Sequence, residues 1–380
     1  MVPSTSPKLS GSAGSYKLVI VVHAFLVKMS GLIGAFSFKV VLHLRFQRSM
    51  SRYSAAHEST QGPGDARPTA LQIIKDEGVE GKLKGKVIVI TGTSSGIGVE
   101  TARALAATGA RLFLTARNLD KAKKACEEFF EASRMEFIEL DLTSFDSVRT
   151  AAKTILDKTD KINILVENAG VMAVPELELT KDGHEMQFGV NYLAHFLFFE
   201  LLKPALLAAV TPELKSRVVV LSSSAHQRSG VNESDNYNFQ KGDYDPSVSY
   251  GQSKTADIYL ANEIDRRYGA QGLHATSVHP GGILTELSRY IPPEHLQALA
   301  STDKAKKMLK SPEQGAATTV WAAIGKQWEN AGGRYLENCE EAPPAKQIDP
   351  SFGKGYAPHA YDPEREARLW EDALKIVGLA

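Results

Sequence analysis

The chain has 380 residues, a formal net charge of zero at pH 7 and 43% hydrophobic residues, which is enough for one large buried core. No basic run is interleaved with aromatic residues in the central part of the chain, which argues against nucleic-acid binding. The two cysteines lie far apart and the ten histidines show no metal-ligand spacing, so we expect neither a disulfide framework nor a metal site.

Residues 1–49 form a basic, apolar segment that contains no Asp or Glu. Its apolar stretches would together span a bilayer, but Lys28 would then lie at mid-span, where a charge is costly. Three explanations stay open: a mature protein that starts at Met50, a membrane or interfacial anchor over residues 17–44, and an organelle signal such as a mitochondrial one. We therefore expect a cytoplasmic, membrane-associated or mitochondrial protein, and not a secreted one.

A linker is predicted over residues 50–81, with Ser51–Pro68 disordered and a short helix at Thr69–Lys75. From residue 82 to residue 380, apolar runs alternate with helical patterns, which predicts a single α/β domain: a Rossmann-type, doubly wound parallel sheet in a three-layer α/β/α arrangement. The predicted strands lie at residues 86–91, 111–115, 135–140, 162–166, 217–221, 274–279 and 334–337.

The first predicted strand runs directly into a glycine-rich turn. Three glycines, Gly92, Gly96 and Gly98, follow the strand, and a helical pattern begins after them. Strand, glycine turn and helix are the context in which a dinucleotide pyrophosphate binds, because the helix N-terminus offers unpaired N–H groups and a positive dipole end. Ser94, Ser95 and Ile97 belong to the same turn.

The second predicted strand ends at Thr115, and Ala116 and Arg117 follow it. NAD-binding folds commonly place an acidic residue here, on the ribose 2′-OH, whereas NADP-binding folds place an arginine near the 2′-phosphate. The sequence has the arginine and no acid at this strand end. NADP(H) is therefore the favoured cofactor, with NAD as the alternative.

Tyr250 and Lys254 are four residues apart and share one face of a predicted helix. An ammonium group near a phenol lowers the phenol pKa toward neutral pH, so Tyr250 could exchange a proton with a carbonyl or alcohol oxygen. The strand before this helix ends in three hydroxyls, Ser222, Ser223 and Ser224. One of them could hold the substrate oxygen beside Tyr250.

Together these segments resemble the short-chain dehydrogenase/reductase family, and several resemble its retinol-dehydrogenase and WW-domain-oxidoreductase branch. The resemblance implies a catalytic set of Asn191, Ser223, Tyr250 and Lys254, with Ser223 and Tyr250 also contacting substrate. It implies a cofactor-binding set of Gly92, Ser94, Ser95, Gly96, Ile97, Gly98, Arg117, Asp141, Leu142, Asn168, Ala169, Gly170, Tyr250, Lys254, Pro280, Gly281 and Thr285.

Two further features follow from the resemblance. Glu167 stands where the family motif has an asparagine, so a carboxylate replaces an amide that could donate a hydrogen bond. The segment from Ile283 to Lys310 is expected to form a lid, with apolar side chains such as Leu284, Leu287 and Ile291 facing the substrate or packing the lid down.

The leading hypothesis is an NADP(H)-dependent oxidoreductase that acts on the carbonyl or alcohol group of a small, apolar molecule, such as a retinoid, a steroid or a secondary metabolite. The alternative is a non-catalytic NADP(H)-binding sensor or scaffold. Such proteins usually lose the tyrosine or the lysine, and this chain keeps Tyr250 and Lys254. The sequence leaves the oligomeric state undetermined.

Overall fold

All seven predicted strands are present in the computed structural model, which describes residues 51–351 and 353–380. The predictions for residues 1–49 lie outside these ranges. The strands are β1 (Val87–Thr91), β2 (Arg111–Ala116), β3 (Met135–Glu139), β4 (Ile164–Glu167), β5 (Ser216–Leu221), β6 (Leu273–His279), β7 (Arg334–Glu337) and a short β8 (Glu340–Glu341) that the sequence did not predict.

The strands form one sheet in the order β3-β2-β1-β4-β5-β6-β7-β8. All neighbouring pairs are parallel except β7 with β8. The strand order reverses between β1 and β4, which is the point where the crevice of a doubly wound sheet opens at the carboxyl ends of the strands. The predicted Rossmann-type fold is confirmed.

Helices cover both faces of the sheet. They are α1 (Ser54–Glu58), α2 (Ala70–Glu77), α3 (Ile97–Ala106), α4 (Leu119–Cys126), α5 (Phe145–Leu156), α6 (Met186–Phe188), α7 (Ala194–Ala208), α8 (Pro246–Tyr268), α9 (Pro293–Ser301), α10 (Asp303–Met308), α11 (Pro312–Gly315), α12 (Ala317–Ile324) and α13 (Pro363–Ile376), with a π-helical turn over Gly189–Leu193 between α6 and α7.

The sheet separates two apolar layers. Residues of α5, α7, α8 and α13 pack on one face, and residues of α2, α3 and α12 pack on the other. Central strands such as β1 are buried along their whole length, which explains why they read as continuous apolar runs. Within the described ranges, one helical stretch, Met186–Ala208, is long and apolar enough to cross a membrane, but 72% of its most apolar window is buried, as expected of a core helix.

The segment before the domain differs from the expected disordered linker. The predicted short helix is present as α2, and its Ile73 and Ile74 are fully buried against the α12 side of the sheet. Upstream of α2, the Arg67 guanidinium donates hydrogen bonds to the carbonyls of Met308 (2.8 Å) and Leu309 (2.6 Å) at the end of α10. Residues 51–69 are therefore tied to the segment that was predicted as a lid.

Prediction for Arg67: replacing it with alanine should lower the free energy of unfolding by about 3–5 kcal/mol, because the change removes the cation paired with the buried Asp65 carboxylate and the donor to the α10 carbonyls. The Arg67 and Asp65 side chains are 2% and 7% exposed and lie 2.8 Å apart. Urea denaturation monitored by tryptophan fluorescence measures the loss.

Arg52→Ala is the matched control from the same segment. The Arg52 side chain is 57% exposed and its contact with Glu77 is 3.7 Å long, so its loss should cost less than about 1 kcal/mol. Equal destabilisation by the two changes would contradict a specific anchoring role for Arg67.

Candidate functional site

A cavity of about 880 Å³ opens at the carboxyl ends of the central strands. Every residue of the predicted cofactor-binding set lines it, from Gly92 in the glycine turn to Thr285 in the lid. Ser223, Tyr250 and Lys254 line it as well, whereas Asn191 does not. The fold therefore brings segments that are far apart in the sequence to one surface.

The glycine turn has the conformation that close approach of an anion requires. Gly92 has a φ of +75°, a value that side chains strongly disfavour, and a Cβ on Gly98 would lie 2.1 Å from the Gly92 carbonyl oxygen. The helix α3 begins after Gly96, which has no side chain to cap the first N–H groups. These N–H groups can bind phosphate oxygens, so the turn fits a dinucleotide pyrophosphate.

Two cationic side chains that follow β2, Arg117 and Lys121, also lie on the cavity wall. Arg117 is exposed and makes no hydrogen bond or ion pair within residues 51–351 and 353–380. Lys121 is bonded to the carboxylate of Glu286, which extends from the lid. Arg117 is therefore free to bind an anionic group on a ligand.

Asp141, in the predicted adenine-binding pair Asp141-Leu142, follows β3 at the edge of the cavity. Its carboxylate accepts hydrogen bonds from Thr143 (N–H, 3.0 Å) and from Lys181 Nζ (2.9 Å). Burial by itself would raise the pKa of Asp141, but the bonds from Lys181 and Thr143 outweigh burial and lower it. Asp141 is therefore ionised at neutral pH and fixes the loop after β3.

A hydrogen-bond network holds the loop after β4. The Thr91 hydroxyl oxygen accepts from the backbone N–H groups of Asn168 (2.9 Å) and Ala169 (3.0 Å), and it bonds His195 Nε2 at 3.0 Å. His195 Nδ1 lies 2.9 Å from the Asn191 carbonyl oxygen, which can only accept. His195 is therefore the neutral Nδ1–H tautomer, in agreement with burial that lowers its pKa to about 4.

Asn191 lies behind the cavity wall, in the π-helical turn. Its Oδ1 accepts from the Val171 N–H at 2.8 Å, and its Nδ2 donates to the Val171 carbonyl (3.0 Å) and to Ser253 Oγ (2.9 Å). The side chain thus joins the loop after β4 to α8. The amide oxygen and both amide hydrogens of Asn191 are used in this joint.

Of the three serines after β5, Ser223 is the one whose side chain acts on the pKa of Tyr250, and its Oγ accepts the Ala225 N–H at 3.1 Å. Ser222 Oγ donates to the Lys254 carbonyl at 2.7 Å, and Ser224 Oγ donates to the Pro350 carbonyl at 3.1 Å. His226 Nδ1–H donates to the Ser223 carbonyl at 2.6 Å and fixes its backbone. The structure therefore distinguishes the three hydroxyls, which sequence alone could not do.

Tyr250 and Lys254 lie on α8 beneath the cavity, as the sequence predicts. Lys254 Nζ is 5.6 Å from the centre of the Tyr250 ring. Burial raises the pKa of Tyr250 above its ordinary value, while Lys254 and the Ser223 side chain act to lower it. Lys254 thus acts in the expected direction, but burial, which the sequence prediction left out, is the larger effect.

A buried partner of Lys254 was missed by the sequence prediction. Lys254 Nζ donates to Asp257 Oδ2 and to the Leu221 carbonyl, both at 2.8 Å. Burial favours the neutral amine, but Asp257 and Tyr250 more than compensate, so the pKa of Lys254 is raised. The spacing of three residues between Lys254 and Asp257 is the signal that could have revealed this pair.

The lid over the cavity consists of α9, α10 and a short 3₁₀ turn at Glu286–Ser288. Leu284, Leu287, Ile291 and Leu296 line the cavity, as do Met172 and Val171 from the loop after β4. Ser223 and Tyr250 line the same cavity. The cavity therefore offers both apolar contacts and hydroxyl groups to a ligand.

Comparison with known proteins agrees with this geometry. The sequence model described as short chain dehydrogenase matches residues 86–295. A short-chain dehydrogenase/reductase, prx1, of Penicillium roqueforti is 50% identical over 329 residues, covering 87% of this chain and 96% of the fungal one. Human retinol dehydrogenase 13 is 33% identical over 78% of this chain and 86% of its own length.

Among solved structures, an uncharacterised protein of Mycobacterium paratuberculosis is 30% identical and superposes with a TM-score of 0.58, over 78% of this chain and 94% of that one.

Proposed function

Because the chain belongs to the short-chain dehydrogenase family of oxidoreductases, which act on CH–OH groups, we propose that it transfers hydride between NADP(H) and a ketone, aldehyde or alcohol of apolar character. The observation that carries this proposal is the arrangement of Ser223, Tyr250 and Lys254 in the wall of a cavity whose other end has an uncapped helix N-terminus. An anion site and a proton donor thus share one cavity.

The residues of the cavity fit an NADP(H) molecule from end to end. The turn Ser94–Gly98 would bind the pyrophosphate, and Arg117 the 2′-phosphate. Asp141 and Leu142 would flank the adenine. The nicotinamide half would lie against the loop 168–170, Lys254 and the segment Pro280–Thr285. When bound, the cofactor supplies or accepts the hydride.

The chain's own residues handle the proton and the orientation of the substrate. Tyr250 donates its phenolic proton to the carbonyl oxygen in reduction and accepts a proton in oxidation. Ser223 Oγ holds the same oxygen. Lys254 stabilises the phenolate electrostatically. Asn191 holds α8 against the loop after β4 through its hydrogen bonds with Ser253 and Val171. The lid excludes water from the bound substrate.

The apolar lining of the cavity supports a lipid-like substrate. Leu284, Leu287, Ile291, Leu296 and Met172 offer apolar contacts, and a human relative is named for retinol. We propose a retinoid-like, steroid-like or secondary-metabolite carbonyl as the substrate class. A non-catalytic sensor is the weaker candidate, because Ser223, Tyr250 and Lys254 all line the cavity.

We propose that residues 1–49 and the segment 50–81 precede a catalytic domain over residues 82–380. All proposed cofactor and substrate contacts lie after Gly85. The first segment would then determine whether the protein is cytoplasmic, membrane-associated or mitochondrial, without contributing to the chemistry.

Prediction for Tyr250: replacing it with phenylalanine should lower kcat for carbonyl reduction by about 10²–10⁴-fold and leave the Kd for NADPH nearly unchanged, because only the proton donor is lost. NADPH oxidation followed by absorbance gives the rate, and NADPH fluorescence gives the Kd. Tyr268→Phe, at the far end of α8, is the control and should keep full turnover. Turnover of Tyr250→Phe above about a tenth of wild type would contradict the assignment.

Prediction for Arg117: replacing it with alanine should weaken NADPH binding by about 10- to 100-fold and NADH binding hardly at all, because only the 2′-phosphate forms a charge-assisted pair with guanidinium. Fluorescence titration gives both dissociation constants. Arg111→Ala, at the other end of β2, should change neither. If Arg117→Ala weakened both cofactors equally, Arg117 would be a structural loop residue.

A further inference from the structure

Glu167, the last residue of β4, is a carboxyl group in an unusual place. The residue is 1% exposed, and neither of its carboxyl oxygens has a hydrogen-bond partner among the described residues. An ionised carboxylate without donors is strongly disfavoured in such surroundings. Burial raises the pKa of Glu167 well above its ordinary value, and the negative charge of Asp257 raises it further. Glu167 is therefore a carboxylic acid that needs an acceptor for its proton.

Asp257, on α8, is a second buried carboxyl group with an unpaired oxygen. It is also 1% exposed; its Oδ2 accepts from Lys254 Nζ, but its Oδ1 has no partner within the described part of the chain. Burial raises the pKa of Asp257 to about 6, although Lys254 acts to lower it. Asp257 is the one charged group that acts on the pKa of Glu167. Two buried carboxyl groups thus have three unpaired oxygens between them, and one of the two groups binds the Lys254 ammonium.

The sheet geometry explains why these groups meet. Side chains alternate along a strand, so Glu167 points to the same side as Leu165, which belongs to the apolar layer of α7 and α8. In the sheet register Glu167 pairs with Val220 of β5, and the next β5 residue, Leu221, supplies the carbonyl that binds Lys254. Glu167 therefore lies under the part of α8 that carries Lys254 and Asp257.

The net charge of the buried site decides which protonation state Glu167 and Asp257 adopt. If both acids were ionised, two negative charges would face the single positive charge of Lys254 in a buried site. If one proton remains, the site is neutral, and an O–H on one carboxyl group can donate to the other. That bond would pair Glu167 with Asp257 Oδ1, and buried carboxyl pairs titrate as a unit in this way.

We propose, on the basis of the proposed function, that Glu167 and Asp257 hold a single shared proton at neutral pH and act together as positioning residues that keep Lys254 charged and fixed beneath Tyr250. The pair carries one negative charge, which balances the ammonium. The same charge raises the pKa of Tyr250, against the effect of Lys254. The acid pair thus limits how far Lys254 can lower the pKa of Tyr250.

Tyr192 and His195 face the acid pair and Lys254, and both are neutral. Tyr335 of β7 faces Tyr250, and burial raises the pKa of its phenol well above the ordinary value. Tyr192, from the π-helical turn, is fully buried, and burial raises its pKa well above the ordinary value, with Asp257 adding to the effect. His195, from α7, has a pKa lowered to about 4 by burial, with Lys254 contributing in the same direction. Neither Tyr192 nor His195 therefore changes its charge between pH 6 and pH 9.

The test compares Asp257→Asn with Glu167→Gln in the pH dependence of kcat/KM for carbonyl reduction, which falls as Tyr250 loses its proton. Asp257→Asn removes the negative charge, so the fall should move by about one unit toward acid pH. Glu167→Gln keeps a neutral donor facing Asp257, so its profile should match that of wild type. Glu213→Gln, the same substitution at an exposed glutamate, is the control. An acid shift in Glu167→Gln as large as in Asp257→Asn would mean that Glu167 is ionised and would overturn the proposal.

A second readout does not depend on turnover. Infrared spectroscopy at pH 7 should show the C=O stretch of a protonated carboxyl group in wild type and in Glu213→Gln, and this band should be absent in Glu167→Gln. An unchanged band in Glu167→Gln would overturn the proposal. If all variants lacked turnover, the proposed function would fail, while the infrared result would still decide the protonation state.

Stability against pH gives a third measurement. The raised pKa of Glu167 means that the folded chain keeps a proton that the unfolded chain releases above its ordinary pKa of 4.5. The free energy of unfolding of wild type should therefore fall as the pH rises through and above this value. Glu167→Gln should flatten that fall, and Glu213→Gln should not. An unchanged slope in Glu167→Gln would count against a retained proton.

Discussion

The ammonium group of Lys254 is a buried charge, and the arrangement of the site depends on how that charge is satisfied. The residue is 5% exposed, so water contributes little to its solvation. Its hydrogen bonds go to the Leu221 carbonyl at the end of β5 and to Asp257 on its own helix. These contacts fix the position of α8 relative to the sheet and place the ammonium next to Tyr250. A strong electrostatic effect on the phenol is possible because the same burial that makes the charge costly also reduces screening.

The parallel sheet explains why the remaining functional groups meet at this charge. The carboxyl ends of β1, β4, β5 and β6 face one cavity, so each strand contributes the residues that follow it: the glycine turn, the loop 168–170, Ser223 and Pro280. Buried hydrogen bonds then connect the segments that follow the strands. Thr91 holds the loop after β4, and Asn191 joins that loop to α8. The residues proposed for cofactor binding and proton transfer thus lie at strand ends and on α8, and the lid supplies apolar side chains.

Sequence alone predicted the features that depend on local patterns. Strands buried on both faces appear as continuous apolar runs, and the turn at Gly92 and the Tyr250–Lys254 spacing are visible within a few residues. Features that depend on distant contacts were missed. Residues 51–68 have the composition of a linker, yet Arg67 fastens them to α10 through backbone carbonyls that no composition reveals. The proposed pairing of Glu167 with Asp257 would join a strand to a helix far along the chain. The net pKa of Tyr250 depends on burial, which only the fold determines.

The most direct test of the central claim is the fate of the hydride. NADPH labelled with deuterium at nicotinamide C4, prepared separately for each face, is incubated with the protein and a panel of retinoid, steroid and aromatic carbonyl compounds. Mass spectrometry of the alcohol products should show deuterium on the carbinol carbon from one labelled form and not from the other, because the substrate meets the cofactor on a single face of the cavity. If NADPH binds but yields no alcohol, or if the alcohol carries no deuterium from either form, the chain is not the oxidoreductase described above.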